Sequence, residues 1–354
     1  MKISDVELFS IVMPKDDPKW RFALRASPEG RGVVVRVKAS NGTVGYGFAG
    51  EAPHTGTGLG GLQAALQTFA DSIKGQDPFD IEKLLLGMEG LLTQNQEAKA
   101  AIEVALHDLL ARSFNVPLYQ LLGGLVREEI PILRILGLKE PPEMAQNALR
   151  LVGQGYSYLK IKVEGDVKKD VQRVKAIREA VGDAVHLTID ANQSYAPKDA
   201  IRAIKQMEEY GIERAEQPVR ADDLTALAEV AQAVDCPVEA HEAADSLEQV
   251  FTLVSRRMVD SINLSVNRLG GLRKTKAAAA MCQAANVQCR MAMTSTRIAA
   301  SAAMHFVAST PNISYACELG EFHRFTQDPA SGMEVKGGML RVPSGPGLGI
   351  EVNL

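Results

Sequence analysis

Aromatic residues make up only 5% of this 354-residue chain, and Trp20 is its single tryptophan. A core with so few large rings must be filled by small and branched aliphatic side chains, and hydrophobic residues do reach 46%. That mixture suits helices packed closely on a parallel sheet. Cysteine is scarce too. Cys236, Cys282, Cys289 and Cys317 lie in separate apolar stretches without C-x-x-C spacing. This excludes a zinc or disulfide framework and reads as reduced core thiols of a cytoplasmic protein. The formal charge is −4, with acids and bases interspersed and no basic block or aromatic-interleaved basic stripe. Nucleic acid is therefore not an expected partner. No apolar run is long enough to cross a bilayer and no apolar leader opens the chain, so neither a membrane span nor a signal segment is expected.

What is present falls into two rhythms, in keeping with a length that suggests two domains. Residues 2–13 alternate, GVVVRVK repeats the pattern at 32–38, and Asn41-Gly42 is a hairpin turn before a returning strand at 43–48. Two loops, 14–28 and 47–60, flank these strands, and helical patterns fill roughly 62–114. From Ile130 the rhythm changes. The runs ILRIL, YLKIKV, HLTIDA, IERAEQP, CPVEAHE, SINLSV, VQCRMAM and ISYACEL are separated mostly by helical patterns. Strands alternating with helices in this way describe an α/β protein with a (β/α) barrel, whose chemistry sits at the C-terminal strand ends. The tail from Gly332 to Leu354 breaks the barrel rhythm and is expected to return to the N-terminal domain. The expected division is 1–125 for the capping domain, 126–324 for the barrel and 325–354 for the returning segment.

The strand ends carry charge where apolar residues would be expected. Lys160 and Lys162 in YLKIKV are two apart, so both side chains leave the same face of a strand. Buried together they call for an anionic partner, and their mutual repulsion is expected to lower the pKa of one, a route to a lysine base; a solvated strand edge is the simpler reading of the pair. Asp190, Glu216 and Glu242 close successive strands at intervals of 26 positions. Singly, each acid reads as a helix cap or loop residue; as a set, oxygen-only ligands of this kind suit a hard cation such as Mg²⁺. A lysine base beside such a cation can remove a proton α to a carboxylate, because the cation offsets the second negative charge of the enediolate.

These residues resemble the enolase superfamily, in particular its muconate-lactonising and mandelate-racemase-like members, and the resemblance covers essentially the whole chain. It rests on the K-x-K pair, D-A-N and E-Q-P in order, AIEVALHDLLARSFNVPLYQLLGG at 101–124, and PSGPGLGIEV at 343–352. The resemblance implies a modified (β/α)7β TIM-like barrel with an α+β capping domain formed by the N-terminal region and the C-terminal tail. It implies Lys162 as base, Lys160 as its electrostatic neighbour, and Asp190, Glu216 and Glu242 as Mg²⁺ ligands. Lactonising-type members carry Asp-Glu at the third position with the Asp as ligand, and racemase-type members Gly-Glu with the Glu as ligand. Here the pair is His241-Glu242, so Glu242 is assigned to the metal and His241 to substrate contact or capping. Trp20, His54, Ser265, Thr296 and Glu318 are further substrate-binding candidates, with Arg25 beside Trp20 in the first loop. Glu318 is expected either to pair with a substrate ammonium or to hydrogen-bond a carboxylate. A homo-oligomer is also implied.

Ser265 departs from the family pattern, which places a second lysine or an Asp there; the histidine that racemase-type members carry on the seventh strand is also absent, its place falling near Arg297. One-sided chemistry follows, and the leading expectation is an Mg²⁺-dependent dehydratase of a small carboxylate, either a hydroxylated or N-modified amino acid or an acid sugar. A racemase, epimerase or cycloisomerase on the same scaffold is the alternative. A non-catalytic binding barrel and a metal-free Schiff-base barrel are readings of other classes.

Overall fold

The computed structural model describes residues 1–354, the side chain of Thr55 excepted. Three antiparallel strands, β1 (Ile3–Pro14), β2 (Glu29–Ala39) and β3 (Val44–Gly50), form the first sheet. Helices α1 (Leu59–Ile73), α2 (Ile81–Leu91) and α3 (Gln96–Ser113) bury an apolar layer against it. Gly47 belongs to β3 and not to the loop expected from residue 47 onward. A Cβ at Gly47 would stand 1.9 Å from the Ala101 carbonyl oxygen, and one at Gly45 2.1 Å from that of Ala105. The bare backbone lets α3 lie directly on the strand, and in return Gly47 pairs with Val35.

Seven parallel strands follow: β4 (Leu133–Leu136), β5 (Tyr158–Lys162), β6 (His186–Asp190), β7 (Ile212–Glu216), β8 (Val238–Ala240), β9 (Ser261–Leu264) and β10 (Gln288–Met291). They pair in sequence order. The eighth expected strand is reduced to two parallel bridges, Cys289 with Ile313 and Ile132 with Cys317, which join the last strand to the first. This is the curled sheet of a (β/α)7β TIM-like barrel. Its strands are buried on both faces, as helices on the outside and charged groups on the inside require. All four cysteines are free and buried.

The tail divides its contacts. Residues 339–341 pair with Glu129–Pro131 below the barrel. Farther on, the Leu348 amide donates to Asp108 of α3 at 2.7 Å and Gly347 to the Val116 carbonyl at 2.9 Å. Among the described residues no helix is long and apolar enough to cross a membrane.

Candidate active site

Strand register assembles the first part of the site. Lys162 pairs with Asp190 and Asp190 with Glu216, so three charged side chains stand level on adjacent strands and point the same way. The chain leaves two of these strands in left-handed conformation: Asn192 has φ 43° and Gln217 φ 36°. Such backbone is uncommon outside glycine and has to be held by its surroundings. Gln217 shows how. Its Oε1 accepts the His241 and Ala243 amides, both at 3.0 Å, while its Nε2 donates to the Val219 carbonyl at 3.0 Å. The side chain of E-Q-P therefore fixes the turn that carries His241 and Glu242. Glu242 lies beyond β8, and the residue level with Glu216 in that strand is Glu239.

Below this level the barrel holds a web of buried charge. Lys160 Nζ donates to Glu216 and Glu318, both at 2.6 Å. Asn263 donates to Glu318 at 2.9 Å and to Glu216 at 3.2 Å. Arg290, fully buried, contacts Glu216 and Glu239 and lies 3.7 Å from Glu318. Each carboxylate is thus met by a cation or an amide, the condition on which buried charge is tolerated. The pair repulsion expected to lower a lysine pKa does not govern Lys160. Burial pushes it down, but the surrounding Glu216, Glu318 and Asp190 outweigh burial and raise it. Burial likewise pushes Glu216 up, and Lys160, Arg290 and His241 hold it well below the usual carboxylate range. Glu239 is raised, by burial and then by its neighbour Glu216.

Lys162 sits at the edge of this web. Its Nζ donates to Asp190 and, at 2.7 Å, to Asn192 Oδ1. Asn192 in turn donates to Glu242 Oε1 at 3.0 Å. A cavity of about 220 Å³ opens above, between the barrel mouth and the two N-terminal loops, lined among others by Trp20, His54, Lys162, His241, Ser265 and Glu318. Trp20 is buried, 5.9 Å from the Phe22 ring, with Lys15 Nζ 3.9 Å above it. His54 meets the edge of Phe22 at 5.3 Å.

Two expectations change. Thr296 is fully buried and its hydroxyl accepts the Ala299 amide at 3.2 Å. It caps the helix Arg297–Ala308 and does not line the cavity, where Met293, Thr294 and Ser295 appear instead. Glu318 reaches the cavity wall, but its Oε1 is already engaged by Lys160 and Asn263, which weighs against pairing with a substrate ammonium. Ser265 lines the cavity while its hydroxyl accepts the Arg268 amide at 3.3 Å. Sequence reading missed Arg290, Glu239, Asn263 and Gln217. For Arg290 a signal existed, a lone guanidinium inside the apolar strand VQCRMAM.

The donors fit a divalent cation. Glu216 Oε1 and Glu242 Oε2 are buried without an aligned hydrogen bond among the described residues, and Asp190 stands beside Glu216. No three His, Cys, Asp or Glu side chains among the described residues already surround one point as ligands. Lys160 and Lys162 both reach Asp190, and Lys160 also reaches Glu216.

Comparison with known proteins extends this reading. Residues 7–123 match "Mandelate racemase / muconate lactonizing enzyme, N-terminal domain" and residues 143–354 match "Enolase C-terminal domain-like". L-Ala-D/L-Glu epimerase of Bacillus subtilis is 36% identical, covering 99% of this chain and 97% of the relative. N-succinyl-L-Arg/Lys racemase of Bacillus cereus is 30% identical, covering 100% and 96%. A dipeptide epimerase from Enterococcus faecalis, solved with Mg and the dipeptide L-Leu-L-Tyr, superposes with a TM-score of 0.95 at 34% identity over 99% of both chains. These names stand with the isomerase alternative rather than with the elimination expected first. On sequence and fold alike, the chain belongs to the mandelate racemase/muconate lactonizing enzyme family of the enolase superfamily.

Proposed function

We propose that this protein is an isomerase of the epimerase or racemase kind that removes the α-proton of a small amino-acid derivative, with Lys162 as the base. One observation carries the assignment of the base. Of the two lysines on β5, Lys160 is sealed in the charge web, and only Lys162 lines the cavity. Asp190 and Asn192 hold its Nζ at the cavity floor, which fixes the direction from which a proton is taken. Asp190, Glu216 and Glu242 would hold a divalent cation, whose charge would offset the second negative charge created at the substrate carboxylate. At the mouth, Lys15 and Arg25 have no carboxylate within ion-pair distance among the described residues, which favours a substrate with a second anionic or strongly polar group.

A second reading, β-elimination of water, is favoured by Ser265. Its strand lies across the barrel from β5, and its hydroxyl is already committed to a helix cap. Inversion needs proton transfer on both faces of the α-carbon, whereas elimination can proceed from one face. Proton NMR in D₂O with Mg²⁺ distinguishes the two, using dipeptides, N-acyl and hydroxylated amino acids, and acid sugars as substrates. Deuterium at the α-carbon of both stereoisomers supports the isomerase. Loss of the α-proton with a new keto or enamine product supports elimination. If neither occurs on any compound while a divalent ion binds, the assignment of Lys162 as an α-proton base fails.

A further inference from the structure

The turn after β8 places an imidazole nitrogen among the carboxylates. His241 Nδ1 lies 3.0 Å from Glu216 Oε1 and 3.7 Å from Glu242 Oε2. All three atoms are shielded from solvent, and none makes an aligned hydrogen bond among the described residues. The nitrogen is close enough to Glu216 for a hydrogen bond but is not directed along one. Burying three polar atoms in this way costs free energy unless something else satisfies them together.

The separations approach those of donors around one ion. With ligand bonds of about 2.1 Å, adjacent donors around an octahedral ion stand about 3.0 Å apart and opposite donors about 4.2 Å. The His241–Glu216 separation equals the adjacent spacing, and the His241–Glu242 separation lies between the two, so a small side-chain shift brings both onto one ion. The turn is also held rigidly, because Gln217 accepts the amides on either side of Glu242. Arg268 donates to the Glu242 carbonyl at 3.1 Å and steadies it from the cavity side.

We infer that His241 is a nitrogen ligand to the divalent cation, beside Glu216 and Glu242, and that this site prefers a first-row transition ion such as Mn²⁺ or Co²⁺ over Mg²⁺. A hard cation is well served by oxygen alone, whereas imidazole adds affinity for the transition series. This deepens the proposed function, since it concerns the same site, but it can be tested without any substrate.

Protein stripped by chelation is titrated with Mn²⁺ and studied by pulsed electron paramagnetic resonance, which detects a directly bound ¹⁴N. The expected result is one bound ion with an imidazole nitrogen coupling, absent in a folded His241→Asp variant. Calorimetric titration with Co²⁺ and Mg²⁺ gives a second measure. The ratio of their affinities should fall at least tenfold in His241→Asp, because that substitution restores an all-oxygen set. A bound Mn²⁺ without nitrogen coupling in the wild-type protein overturns the inference, as does failure to bind any divalent ion, even if the variant does not fold. Nitrogen coupling with no α-proton exchange on any substrate leaves the ligand assignment standing and removes the proposed reaction instead.

Discussion

At the scale of single residues, the two lysines of β5 do different work, and substitution should separate them. Lys162→Ala removes the β5 lysine that reaches the cavity, so α-deuterium exchange should fall by roughly 10²–10⁴-fold with the fold intact. Lys160→Met should act on stability first. It leaves Glu216 and Glu318 buried with one cation fewer between them, a change that costs about 3–5 kcal/mol when a buried partner is removed. Urea unfolding checks it, and a loss within experimental error would show that Arg290 alone balances the web. The contrast marks what the sequence could show. The K-x-K spacing gives the direction of both side chains, because strand parity is local. That Lys160 faces Glu318 depends on a partner 158 positions away, brought close only by barrel closure. Thr296 looked available for the same reason: nothing local distinguishes a helix cap from a substrate contact.

At the scale of elements, one joint between the first sheet's helices and the barrel is sensitive to pH. Gly271 precedes the helix Leu272–Ala284 with φ 130°, and a Cβ there would stand 1.2 Å from Glu103 Oε2. Glu103, on α3, accepts the Arg273 amide at 3.1 Å and so caps the barrel helix from the other layer. Burial pushes its carboxyl up to about 7 from 4.5, against the amides and cations of the helix start. The folded form therefore keeps a proton that the unfolded chain gives up above 4.5. The resulting stability is present in full below pH 4.5 and is lost as the pH rises to about 7. His107, one turn on, is pushed down to about 4 by burial and gives a slope of opposite sign from pH 4 to 6.5. The difference between wild type and Glu103→Gln removes most of the histidine's share, since its bond to the residue 103 carbonyl is kept in both. The variant should gain relative to wild type by a few kcal/mol (about 1.4 per pH unit) between pH 5 and 8, and chemical denaturation across that window would measure it. The elements themselves were legible, since seven of the eight strands follow from apolar runs with regular spacing. The eighth was overstated because ISYACEL has the composition of a strand but closes the barrel through only two bridges.

At the scale of the whole molecule, the cavity exists only while the first loop rests on the barrel. The loop is tied down by Arg21 with Glu164 at 2.8 Å and Lys139 with Asp17 at 3.2 Å. Both pairs are partly exposed, and pairs of that kind contribute little on their own. The firmer contact is Trp20 against Gly137, just past β4, where an added Cβ would stand 2.8 Å from the indole nitrogen. A Gly137→Ala substitution must therefore push Trp20 outward and lift the loop, leaving the barrel and Lys162 untouched. Substrate binding should suffer more than the chemical step, with KM rising and kcat changing little, and Trp20→Ala should give the same pattern. Thermal unfolding of Gly137→Ala should fall only modestly, because the loop relieves the strain by moving away and exposes part of an indole whose full burial is worth about 1.5–3 kcal/mol. Equal falls in kcat and kcat/KM would instead mean that loop closure positions Lys162 for the proton transfer. The cavity would then be a device that completes the base as well as one that holds the substrate.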